Sequence, residues 1–233
     1  MIFRLPAEHV FPDPELAETS GLLAIGGDLH PRRIMRAYRQ GIFPWYADDQ
    51  PILWWSPDPR SVLIPSRLKI QRSLKKRLRQ APYTIRLDTA FADVIRGCGS
   101  IPRVDQDGSW ITPDMEESYN QLHEQGYAHS AEAWLDDVLV GGLYGVVLGG
   151  VFFGESMFSQ ASDASKIAFV HLVRQLELWG VELIDCQLQT DHLDRFGAEF
   201  MPRCTFIETI DRLADKQVTP PQWSFDRHFS WET

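Results

Sequence analysis

The 233-residue sequence has only three cysteines, Cys98, Cys186 and Cys204. An odd number at these spacings fits neither a disulfide framework nor a zinc knuckle, so reduced thiols are expected. Long apolar runs are missing too, since nothing approaches the roughly 20 residues that cross a bilayer. The opening stretch, MIFRLPAEHVFPDPE, is broken by prolines and acids too early for a signal peptide, which makes the cytoplasm the expected location. Phosphate-cradling glycine patterns are absent. Ala24-Ile-Gly-Gly-Asp28 lacks the Lys and Ser/Thr of a P-loop, and no GxGxxG follows a strand pattern. Ser156 lacks the glycine frame of a nucleophile elbow, and the seven histidines show no HExxH spacing. Serine-hydrolase and metal chemistry are therefore disfavoured, His123, His129 and His171 read as structural, and no metal or cofactor is expected.

What is present is an ordinary globular composition, 44% hydrophobic and 24% charged, which argues against disorder and repeat arrays. The net charge of -9 speaks against indiscriminate nucleic-acid binding, but its placement is uneven. From Pro59 to Leu87 there are nine Lys or Arg residues and no acid. Within this segment Ile70, Leu74 and Leu78 recur every four residues, while Arg72, Lys75, Lys76 and Arg79 share the opposite side of a helix. Two readings stand: a solvated charged face, or a strip that contacts phosphates.

The first 60 residues hold eight of the fifteen prolines, so residues 1–62 read as a small loop-rich domain and 63–233 as the larger one. A helix is predicted over Pro31–Gln40, ended by Gly41. Trp45, Tyr46, Trp54 and Trp55 crowd into eleven residues, either as a stacking surface for a base or as packing between domains. Further helices are predicted over Asp88–Arg96, over Thr112–Gln125 with Thr112 as N-cap, and from Ser162 or Ser165 to Trp179. Strands are predicted over Ala128–Trp134, Val138–Val147, Val151–Phe158 and Val181–Leu188, with a short helix near His192–Phe196 and a last strand near Thr205. Helices, an antiparallel meander, then strand–helix–strand describes an α+β domain with a mixed sheet. That order is analogous to the Gcn5-related N-acetyltransferase fold, but the turn Ser159–Lys166 lacks glycine and carries Asp163, so coenzyme A fits poorly.

Chemistry concentrates at two places. In Val181–Gln189, alternation puts Asp185, Gln187 and Gln189 on one strand face and Cys186 and Leu188 on the other. A carboxylate beside an amide at a strand end is costly to bury unless something polar is bound there. Such a pair could orient an amine proton and offer a hydrogen bond to a developing oxyanion. Equally, Asp185 could cap the following helix or pair with an arginine. The second place is Gly154–Ser159, where Glu155 follows an apolar strand and needs a donor or a cation. Cys186, opposite the polar face, reads as core.

The blocks Gly21–Leu29, Gly41–Tyr46, Ile52–Arg60, Trp110-Ile-Thr112, Gly154–Ser159 and Ile184–Gln187 resemble, in this order and nearly end to end, those of the leucyl/phenylalanyl-tRNA-protein transferases. The resemblance implies a small N-terminal domain and an acetyltransferase-like C-terminal domain. It implies transfer of leucine or phenylalanine from leucyl-tRNA or phenylalanyl-tRNA to proteins beginning with Arg or Lys, by a monomer that needs no cofactor and no membrane. Trp45, Trp110 and Tyr119 resemble the residues around the terminal adenosine. Leu143, Phe152 and Met157 resemble walls of the side-chain pocket, with Leu172 and Leu176 standing at two positions that are aromatic in better-known members. Asp185, Gln187 and Glu155 match residues of the reaction centre, and Thr190 stands where the family has asparagine.

Overall fold

The computed structural model describes residues 2–100 and 111–232. Trp110, expected near the adenosine, lies outside the described residues. The chain forms two mixed sheets. The smaller is built from β1 (Phe3–Arg4), β2 (Leu22–Ile25), β3 (Phe43–Pro44) and β4 (Leu53–Trp55) in the order β1-β2-β4-β3. Strands of two to four residues between prolines carry no readable alternation, which is why the sequence suggests loops here. Between β2 and β3 runs α1 (Pro31–Arg39). Pro31 opens it, His30 caps it by accepting from the Arg32 amide, and Ile34, Ala37 and Tyr38 are buried.

The larger sheet has seven strands: β5 (Arg60–Leu63), β6 (Thr84–Leu87), β7 (Ala128–Leu135), β8 (Val138–Leu148), β9 (Val151–Ser159), β10 (Leu183–Gln187) and β11 (Glu199–Met201). Their order is β11-β5-β10-β9-β8-β7-β6. The meander β7–β8–β9 is antiparallel as expected, and β10 joins β9 in parallel after the crossover helix α5 (Ala164–Trp179). Period-two alternation divides each central strand between two cores. Tyr144, Val146, Phe153 and Leu183 pack under α3 (Phe91–Ser100) and α4 (Pro113–Glu124), together with the N-terminal sheet. Leu143, Val147, Phe152 and Ile184 pack under α5 and under Leu74 and Leu78 of α2 (Arg72–Arg79). At roughly 25 cal/mol per Å² of apolar surface, these two layers supply the main drive for folding.

Three expectations are corrected. Helix α3 begins at Phe91, not Asp88, because Asp88 adopts a left-handed turn (φ 53°) and uses its carboxylate to bind the Ser130 amide and the His129 ring. The start of α3 is held instead by the buried Glu132, which accepts from the Thr89 and Ala90 amides. The strand predicted near Thr205 lies earlier, at β11, and Thr205 is inside α7 (Arg203–Leu213). The short helix α6 is Asp191–Asp194, capped by Thr190. No helix among the described residues is long and apolar enough to cross a membrane.

Candidate active site

The site forms where β9 and β10 part. Their parallel register ends at Asp185 opposite Phe153; beyond it β10 keeps only its pairing with β5 on the other side, Gln187 against Ser61. On β9 a bulge falls at the same level, since Tyr144 faces Ser156 and Gly145 faces Gly154, leaving Glu155 as the extra residue. The bulge needs Gly145: a Cβ there would stand 2.3 Å from the Phe153 carbonyl oxygen and 2.4 Å from the Phe152 ring. Between the diverging ends opens a pocket of about 360 Å³. Leu143, Met157, Phe169 and Ile184 form its apolar part; Glu155 and Gln187 supply polar groups, and Phe43 and Trp45 approach from the N-terminal sheet.

Glu155 is half-buried and accepts from three donors: the Tyr38 hydroxyl at 2.7 Å, the Tyr119 hydroxyl at 3.0 Å and the Gln187 amide at 3.1 Å. The two phenols also touch each other at 2.6 Å. Burial outweighs these donors and pushes the Glu155 carboxyl up to about 7, with the nearby Asp185 charge adding in the same direction. Burial also carries both phenols well above the ordinary tyrosine value, with the Glu155 charge reinforcing it, so they stay protonated. The three contacts among two phenols and one carboxyl take three protons to be filled completely. A protonated Glu155 provides the third, so geometry and electrostatics agree on a group poised between acid and base near neutral pH.

Asp185 is wholly buried and paired with Arg60, which donates from Nε and Nη2 at 2.8 Å each. The guanidinium lies between the rings of Phe43 and Phe206, at 4.6 and 4.7 Å. A third donor, the Gln187 backbone N–H, reaches Asp185 Oδ1 at 2.8 Å and closes a tight turn that holds Gln187 at φ 59°. Asp185 therefore has the arginine partner that the sequence left open. Gln187 commits Nε2 to Glu155, leaving its amide oxygen as an acceptor at the pocket.

The other expected residues divide. Trp45, Leu143 and Met157 line the pocket, and Leu143 faces Met157 across β8 and β9. Tyr119 is buried behind it and reaches it through Glu155. Phe152 of β9 and Leu172 and Leu176 of α5 are buried in the core between that strand and helix and do not line the pocket wall. Trp54 and Tyr46 are core residues, while Trp55 is half-buried and donates to the Trp45 carbonyl. Cys186 packs against the core under α5, as expected, and also lines the pocket; burial first, and then the Asp185 charge, raises its thiol and makes it a poor nucleophile. Arg72, Lys75, Lys76 and Arg79 are all exposed on one side of α2. Only Arg79 among them has an acidic partner in the described residues, Glu232. Tyr38 and Arg60 were not singled out in the sequence, although the buried-face spacing of Ile34 and Tyr38 and the lone arginine after Asp-Pro were the available signals.

A pocket apolar at one end, with a carboxyl, an amide and phenols gathered at the other, has the kind of lining found in enzyme sites. The family model described as "Leucyl/phenylalanyl-tRNA protein transferase" matches residues 62–211, and the one for its N-terminal domain matches residues 27–58. A protein named leucyl/phenylalanyl-tRNA–protein transferase in Anaeromyxobacter sp. (strain Fw109-5) is 54% identical over 97% of this chain and 96% of its own length. Proteins of the same name in Nitrosospira multiformis and Myxococcus xanthus are 55% and 52% identical, covering 97% and 96% of this chain and 98% and 96% of their own. The chain belongs to the leucyl/phenylalanyl-tRNA–protein transferase family. Among solved structures, "The structure of L-PGS from Bacillus licheniformis" is similar at a TM-score of 0.44 and 11% identity, over 69% of this chain and 66% of that one, too loose a match to identify the fold.

Proposed function

We propose that this protein moves leucine or phenylalanine from aminoacyl-tRNA to the α-amine of proteins beginning with Arg or Lys, marking them for degradation. The observation that carries the reading is the pocket at the parting of β9 and β10, with its apolar part beside the Glu155–Gln187 pair. The acceptor amine attacks the aminoacyl ester, and the tetrahedral oxyanion collapses to expel the ribose hydroxyl. The ester is already activated, so alignment supplies much of the rate. Gln187 Oε1 accepts a hydrogen bond from the incoming amine, and Glu155, with its carboxyl near 7, takes up the proton the amine sheds and gives it to the departing ribose oxygen. Asp185 acts through the Gln187 backbone that it holds. Leu143 and Met157 flank the side chain, with Phe152, Leu172 and Leu176 as the layer behind. Trp45 and Trp110 belong to the adenosine end, Tyr119 acts on it from behind through Glu155, and Arg72, Lys75, Lys76 and Arg79 meet tRNA phosphates.

The larger sheet, with a parallel pair splayed next to a bulged strand and a crossover helix between them, supports an acetyltransferase-like reading of residues 63–233. The N-terminal unit is 1–62, with the junction inside β5. The protein is read as a cytoplasmic monomer without cofactor. The test is incubation with radiolabelled leucyl-tRNA and a peptide beginning with Arg, followed by hydrolysis of residual ester and counting of the peptide. Label in the peptide supports transfer; tRNA retained without labelled peptide refutes it.

A further inference from the structure

Residues 215–232, after α7, hold neither helix nor strand and lie beyond residues 62–211 that the family model matches. They are nevertheless pinned to α5. Gln175, buried in that helix, accepts from the Asp226 amide at 2.9 Å and donates to the Asp226 carboxylate at 3.0 Å. The Trp179 indole donates to the same carboxylate at 3.3 Å, and the rings of Phe225 and Phe229 lie against His171. This anchorage brings Trp223, itself buried, between Trp179 at the end of α5 and His129 of β7.

What Trp223 does there follows from a gap in the sheet. His129 of β7, Gly145 of β8 and Gly154 of β9 are register partners in one row across the strands. Two glycines side by side leave a trough, and a glycine inside a strand marks the close approach of another group. That group is Phe152, whose ring tip would stand 2.4 Å from a Cβ at Gly145. At the far end of the row Trp223 lies flat on His129, with ring centroids 3.8 Å apart and planes within 3°, and its ring is 6.2 Å from that of Phe152. His129 is a fixed platform, because its two ring nitrogens stand 2.6 Å from the Asp88 carboxylate and 3.1 Å from the Gly126 carbonyl. The near end of the row, Gly154, lines the pocket, as does Leu143, two residues before Gly145 on the same strand face. Phe152 therefore stands in a trough that has the pocket at one end and Trp223 at the other, in a core packed closely enough for a change at one end to be felt at the other.

We propose that Trp223 determines specificity from a distance: by closing the far end of the trough it holds the Phe152 ring over Gly145 and so sets the depth of the pocket for the aminoacyl side chain. It meets neither the ester nor the amine, and is a positioning residue that acts through Phe152. The inference rests on the transfer reading above. It is tested by measuring kcat/KM for leucyl-, phenylalanyl- and tryptophanyl-tRNA with one peptide beginning with Arg. Trp223→Leu frees Phe152 to swing back along the row and lengthens the pocket. The preference for phenylalanyl over leucyl ester should then rise about tenfold, the weight of roughly one methylene in an apolar pocket, and the preference for tryptophanyl over leucyl by at least as much. Ratios between donors are read on the same protein sample, so they do not move when part of a variant is unfolded. Trp223→Phe, which keeps a ring on His129, should shift both ratios the same way by a smaller factor, and it decides the matter if Trp223→Leu does not fold. Phe225→Leu loosens the same segment at His171 and should leave both ratios where they are. Unchanged ratios in the Trp223 variants, or an equal shift in Phe225→Leu, overturn the proposal while leaving the transfer reading intact. An unmodified protein that uses none of the three donors overturns the transfer reading, and this role of Trp223 with it.

Discussion

Replacing Asp185 by asparagine keeps the shape of the side chain and removes the charge that answers Arg60. Both partners are buried, with side-chain exposures of 0% and 1%, and the pairing is bidentate at 2.8 Å. Neutralising one member of a buried pair leaves the other uncompensated, at a cost of about 3–5 kcal/mol. Arg60 keeps its bond to the Gly41 carbonyl at 3.2 Å and its two aromatic neighbours, which places Asp185→Asn near 3 kcal/mol on that scale. Arg60→Leu should cost about 5 kcal/mol, because Asp185 is then left with the Gln187 N–H as its donor. At about 2–4 °C per kcal/mol for a chain of this size, the midpoints should fall by roughly 6–12 °C and 10–20 °C. The double variant Arg60→Leu/Asp185→Leu removes both charges and should recover most of that stability, since apolar replacement of a buried pair is close to neutral. Its single-turnover transfer rate should stay low, because nothing then holds Gln187 in its left-handed turn. Thermal midpoints and single-turnover rates measured on all four proteins read both effects. A midpoint for Asp185→Asn within about 2 °C of the unmodified protein, or a double variant whose losses simply add, would refute the reasoning.

Glu155 supplies a pH prediction. Its carboxyl is raised from 4.5 to about 7 in the folded protein, so the stabilisation from its protonated form is complete below pH 4.5 and is lost as pH rises through about 7. The difference in unfolding free energy between the unmodified protein and Glu155→Gln, read by denaturant titration, should therefore shift in favour of the unmodified protein by about 3 kcal/mol between pH 7.5 and 4.5, and a flat difference would remove the raised carboxyl. Replacing Arg72, Lys75, Lys76 and Arg79 together by Gln should weaken tRNA binding evenly across tRNA sequences and flatten its salt dependence; filter binding at several salt concentrations checks both. Burying a leucine side chain is worth roughly 1.5–3 kcal/mol, so valyl and isoleucyl esters should transfer more slowly than leucyl. Met157→Asp should cut leucine transfer sharply and leave tRNA affinity nearly unchanged, and equal transfer of valine and leucine by the unmodified protein would count against a pocket that selects by shape.

Much of the larger sheet was legible because its strands are long enough to show their period. Residues Leu143 and Tyr144, or Phe152 and Phe153, fall into opposite cores as alternation requires, and α4 starts at Pro113 because a threonine followed by proline caps and opens a helix. The misses follow physical limits. Strands β5 and β6 have four residues each and lie in the basic stretch, where charge masks any hydrophobic pattern. Thr205 sits among β-branched and aromatic neighbours that favour a strand, yet packing of Phe206, Ile210 and Leu213 makes the segment a helix, an instance of tertiary burial overriding local preference. Cys186 keeps the side that alternation gives it, packed with Ile184 against the core under α5, and meets the pocket as well because the positive φ of Gln187 turns the strand end beside it.

The candidate site was half legible for a related reason. Polar residues in an apolar strand advertise themselves locally, which is how Glu155, Asp185 and Gln187 stood out, but their partners lie far along the chain. Tyr38 is 117 residues from Glu155, and Arg60 is 125 from Asp185. Both partners come from the part of the chain around the N-terminal unit, as do Phe43 and Trp45 at the pocket. A carboxyl buried without Arg60 would be too costly to keep charged, and Glu155 without Tyr38 would lose the shortest of its hydrogen bonds. Helix α1 and strand β5 are therefore part of the chemistry of the site: Tyr38 from α1 supplies the phenol and Arg60 from β5 the cation that allow two acidic side chains to stand at the end of an otherwise apolar sheet.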